Sequence, residues 1–88
     1  MDFHDLLHRY FGQHDLAGLP AAGLAAGLER VRVDFGLESD AGRRFGLWAL
    51  MYILGDAPAL DIAFSDPETR EAARNFMDLI DAFGADAL

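Results

Sequence analysis

Residues 24–37 read LAAGLERVRVDFGL, and the fold class turns on whether this stretch is helix or strand. Leu24, Leu28, Val31 and Phe35 are spaced 4, 3 and 4, which aligns them on one helix face. Within the same stretch Val31, Val33, Phe35 and Leu37 alternate with Arg32, Asp34 and Gly36, the two-residue period of a strand. The helical pattern is the longer of the two, and a lone strand would have no partner elsewhere in the chain. Helix is therefore predicted, entered at Pro20, which suits a first helical turn, and stopped at Gly36.

Toward the C-terminus, Ser39 or Asp40 is placed to cap a third helix that ends near Gly55. Its second half, FGLWALMYIL at 45–54, is apolar on every side, so it should be buried on most sides and form the central element. Ten helical residues span about 15 Å, half of a bilayer core, so the stretch reads as a core helix and not a membrane span. If buried, Tyr52 needs a partner for its hydroxyl. Residues 56–64 contain Pro58 and predict a short helical turn. SDPE at 65–68 then announces a last helix in one of two ways. Ser65 and Glu68 have capping-box spacing; alternatively, Asp66 is the cap with Pro67 in the first turn. That helix should put Ala73, Phe76, Ile80 and Phe83 on one face and end at Gly84.

Toward the N-terminus, Leu6, Leu7, Tyr10 and Phe11 continue a helical pattern from Phe3, with Asp2 as a possible cap and Gly12 as the stop. Ala-Gly-Leu recurs at 17–19, 22–24 and 26–28, a local low complexity without a longer repeat. The expected fold is all-α, a compact bundle of four main helices plus one short helix. With 88 residues it should form a single domain.

Composition narrows the possible partners. The chain is 52% hydrophobic with nine glycines, rich for its size. Its net charge is −8. The first 44 residues hold seven acids and five Arg, leaving −2; the last 44 hold eight acids and two Arg, leaving −6. Nucleic acid and anionic membranes call for clustered cations, and Arg43 and Arg44 are the only adjacent pair, so neither is an expected partner. The absence of Cys excludes disulfides and thiolate chemistry and fits the cytoplasm. The opening residues are acidic, without the basic and apolar regions of a signal peptide, so none is expected.

The sharpest chemical pattern is HDLLHRYFGQH at 4–14. His4 and His8 are four apart on a helix, so both imidazoles can reach one ion, and a break at Gly12 would let His14 return toward them. The spacing resembles the metzincin zinc-protease signature, H-E-x-x-H-x-x-G-x-x-H. Asp5 stands where that signature has its general-base Glu, and Phe11 stands where it has Gly. Protease activity is therefore not expected, and a bare zinc or other divalent-metal site at His4, His8 and His14 is the weaker reading. Ser39 and Ser65 fall at helix starts, where capping accounts for them, and Thr69 lies in a first helical turn. Arg43 and Arg44 suit surface pairing with Glu38 or Asp40.

These residues lead to a non-enzymatic protein-interaction module with no cofactor, whose partner is another protein or a second copy of itself. The apolar excess should emerge as a patch on the third helix and on residues 60–64. The alternatives are metal binding by the three histidines and mimicry of nucleic acid by a stripe of carboxylates.

Overall fold

The structure, a computed structural model, describes residues 3–13 and 18–84, which are helical throughout apart from their connections. Four longer helices, α1 (Phe3–Phe11), α2 (Ala21–Leu37), α3 (Ala41–Ile53) and α5 (Pro67–Phe83), and the single turn α4 (Leu60–Ala63) match the expected all-α class with four main helices and one short one. Residues 31–37 are helix, so the strand-like alternation is not expressed as a strand. The suggested cap Asp2 lies outside the described residues. The chain divides into two compact units, Met1–Leu47 and Trp48–Leu88, with the boundary inside α3.

In the first unit α1 packs on α2. Leu6, Leu7, Tyr10 and Phe11 are buried on one face of α1, and Gly12 at φ +76° ends the helix as expected. The facing side of α2 offers Gly27, Val31 and Phe35, all buried. Gly27 is where the two backbones meet: a Cβ there would lie 2.8 Å from the carbonyl oxygen of Tyr10 and overlap the Phe11 ring.

The ends of α2 depart from expectation by small margins. Pro20 is the N-cap rather than the first helical residue, with extended backbone. Gly36 does not stop the helix, which runs to Leu37 and turns out at Glu38. At this end the Glu38 amide donates to the Phe35 carbonyl at 3.4 Å, and a side chain reinforces it. The Arg44 guanidinium donates to the carbonyl oxygens of Phe35, at 2.8 Å, and Glu38, at 3.4 Å. It also covers the Phe35 ring at 4.1 Å. A cation on the last carbonyls supplements the long closing bond from Glu38 and faces the negative end of the helix dipole. Asp40 then caps α3, accepting the Arg43 amide at 3.0 Å.

In the second unit the core is aromatic and centred on Trp48, which is 1% exposed. Its indole N–H donates to the Pro58 carbonyl at 3.1 Å, so the buried polar atom is satisfied. Tyr52 stacks on it at 5.4 Å, while Phe64 and Phe76 meet it edge-on at 5.7 and 6.2 Å. The Tyr52 hydroxyl finds its partner in Asp81, at 2.8 Å. Asp66 is the cap of α5, accepting from the Thr69 amide at 3.1 Å and hydroxyl at 2.8 Å, with Pro67 in the first turn; of the two readings of SDPE, this is the one adopted. Arg70 donates to the carbonyls of Phe64 and Ser65, tying α5 to the end of α4. Gly84, at φ +75°, ends α5.

Candidate functional site

Helix α2 has two apolar faces. Val31 and Phe35, one turn apart, are buried. Val33 and Leu37, also one turn apart, stand on the other side of the helix, 56% and 79% exposed. An alternating apolar pattern wound into a helix must do this, because residues two apart fall about 200° apart around the axis. The strand-like alternation was thus a readable signal of a second apolar stripe. The exposed stripe continues toward the N-terminus through exposed Ala26 and Ala22 and is flanked by exposed Arg30 and Arg32.

Beside this stripe lies a polar cluster. The Tyr10 hydroxyl donates to Asp34 Oδ2 at 2.5 Å, linking α1 to α2. The guanidinium carbons of Arg9 and Arg30 lie 5.8 and 5.5 Å from the Tyr10 ring centroid. Burial, then the hydrogen bond to Asp34 and its charge, push the Tyr10 phenol up to about 12, against a smaller opposing pull from the two arginines. At neutral pH the phenol is therefore protonated and acts as a donor, not as a base. Arg9, Tyr10, Asp34 and Leu37 line an open depression at the edge of the stripe.

The second unit exposes a similar stripe. Leu79 and Phe83 on α5, again one turn apart, are 41% and 69% exposed. Glu68, Glu71 and Asp78 are exposed on the same helix. The expected apolar face of α5 thus fades along its length: Ala73 is buried, Phe76 and Ile80 are half-buried, and Phe83 is out.

The expected location of the apolar patch needs correction. From Leu47 through Met51, α3 is buried continuously, so it contributes no patch. In the segment 60–64 only Ile62 is a large exposed hydrophobic, at 78%, while Phe64 is buried. Of the proposed metal ligands, His4 and His8 are exposed one turn apart on α1, and His14 lies outside the described residues. Among the described residues no three His, Asp or Glu side chains gather as a metal site. Thr69 serves the α5 cap and Arg44 closes α2, which accounts for both. Among the described residues no helix is long and apolar enough to cross a membrane.

Comparison with known protein families, curated proteins and solved structures finds no match.

Proposed function

We propose that this is a non-enzymatic interaction module of the cytoplasm that binds a helix of another protein chain on the outer face of α2. The observation that carries this reading is the exposure of Val33 and Leu37 on a helix whose opposite face is already packed. Apolar side chains aligned at i and i+4 form a ridge into which a second helix packs. Glu29, Arg30, Arg32 and Asp34 border that ridge with charges of both signs, so the apolar pair and not net charge sets what a partner helix must offer. The acidic α5 supports mimicry of nucleic acid less well, because Arg74 and Asn75 interrupt its exposed carboxylates.

A photo-reactive residue at position 37, incorporated in the native host, tests this reading. Crosslinking of one defined protein product at position 37, absent when the probe sits at exposed Asn75, is the expected result. Equal labelling at both positions would contradict it.

A further inference from the structure

Helix α5 is held very differently at its two ends. At its start Asp66 accepts from the Thr69 amide and hydroxyl, and Arg70 donates to the carbonyls of Phe64 and Ser65. Ala73 is then fully buried. Beyond Ala73 no residue of the helix is buried: Phe76, Met77 and Ile80 are half-buried, and Asp78, Leu79 and everything from Asp81 to Phe83 are exposed. Phe76 still meets the rings of Trp48 and Tyr52 on α3, at 6.2 and 6.4 Å. Past Phe76 the tie to α3 is the hydrogen bond from the Tyr52 hydroxyl to Asp81, 2.8 Å long and exposed to water.

Charge works against the same end. Residues 75–84, NFMDLIDAFG, contain Asp78 and Asp81 and no cation, and the last turn of α5 carries no basic residue. Carboxylates near a helix C-terminus meet the negative end of the dipole, which disfavours helix there. Sparse burial and unfavourable charge therefore coincide at 77–83. Segments with few buried apolar contacts and exposed hydrogen bonds are the ones that open locally while the rest of a domain stays folded.

We propose that residues 77–83 form a strap that undocks from α3 as a unit, with the Tyr52–Asp81 hydrogen bond as its latch. The hinge falls between Phe76, whose ring belongs to the Trp48 cluster, and Asp78. Opening frees the Tyr52 hydroxyl and withdraws Ile80, while Phe76 keeps Trp48 covered. Whatever occupies the Tyr52 hydroxyl or the Asp81 carboxylate releases the strap, so the latch is the point at which the movement is controlled. The device is independent of the role assigned to α2.

Native-state hydrogen exchange on the full chain tests the proposal. In the wild type the amides of 80–83 should exchange with one common opening constant, at least about tenfold faster than those of 47–51. Their urea dependence should be the smaller of the two, because little surface opens. Tyr52→Phe keeps the ring and removes the donor, and should speed exchange at 80–83 by about threefold to tenfold. Asp78→Arg leaves the latch in place and relieves the helix end, and should slow it by about threefold. Retained helical circular dichroism confirms that both variants are folded. Exchange at 80–83 that matches 47–51 in rate and urea dependence would overturn the proposal, and so would rates graded residue by residue toward Phe83, as in ordinary fraying. Unchanged exchange at 80–83 in Tyr52→Phe, or exchange no slower in Asp78→Arg, would do the same.

Discussion

The carbonyl oxygen of Tyr10 occupies the space that a Cβ on Gly27 would need, 2.8 Å from where it would be built. This close approach brings the backbones of α1 and α2 together, and it makes one glycine in α2 unlike the others. In an exposed helix interior Gly→Ala normally stabilises by about 0.5–1 kcal/mol. Gly36→Ala, with nothing within 4 Å of its Cβ, should follow that rule. Gly27→Ala should reverse the sign and destabilise by roughly 1–3 kcal/mol through overpacking. Urea denaturation of the two variants checks this, and equal effects would mean that α1 does not rest on Gly27.

Trp48 organises the core of the second unit, with Tyr52, Phe64 and Phe76 around its ring and Pro58 accepting its N–H. Trp48→Ala should cost about 3–5 kcal/mol. Trp48→Phe keeps most of the ring contact and loses the hydrogen bond, leaving the Pro58 carbonyl without that donor, and should cost less. Wild-type tryptophan emission should be blue-shifted. Solvent-like emission together with a loss under about 1 kcal/mol on truncation would contradict the placement of Trp48.

The fold was largely legible because its strongest signals are local. The all-apolar run at 45–54, the caps at Asp40 and Asp66, and the glycines at 12, 55 and 84 mark helices and their ends without reference to the rest of the chain. The end of α2 was legible to within one residue, but its reinforcement by Arg44, nine residues beyond the Phe35 carbonyl that it holds, has no local signature. The place of the exposed apolar side chains was legible only in part: Ile62 in the segment 60–64 is exposed, whereas α3 is not. A helix that is apolar on every side demands burial, and α3 obtains it; the unburied remainder appears on helices that have a second, minor apolar stripe. The pairing of Tyr10 with Asp34 joins residues 24 apart and has no local signature.

Tyr10 should make stability pH-dependent at the alkaline end. Its folded value, about 12, lies above the ordinary phenol value of 10. Its contribution is thus fully present below pH 10 and is lost as pH rises toward 12. Tyr52 is also raised, first by its hydrogen bond to Asp81. In a Tyr52→Phe background the single remaining tyrosine, followed by its ultraviolet absorbance, should ionise well above pH 10. Ionisation near 10 in the folded protein would contradict both the burial of the Tyr10 hydroxyl and its hydrogen bond to Asp34.

The histidines admit a direct test. Protein purified without added metal is expected to retain less than stoichiometric zinc, copper or nickel after dialysis, and His8→Ala to leave its metal content unchanged. Stoichiometric metal that disappears in His8→Ala would instead establish a site on α1 and favour metal binding over the proposed interaction role.

The outer face of α2 is the central claim, and a paired measurement on Val33→Asp/Leu37→Asp tests it most directly. Melting temperature reports whether these side chains support the fold, and native size in a host extract reports whether they hold a partner. The expected result is an unchanged melting temperature, with wild-type protein migrating in a species larger than its 9.6 kDa and the variant migrating as a single chain. A variant that melts much earlier, or that migrates with the wild type, would contradict the role assigned to Val33 and Leu37.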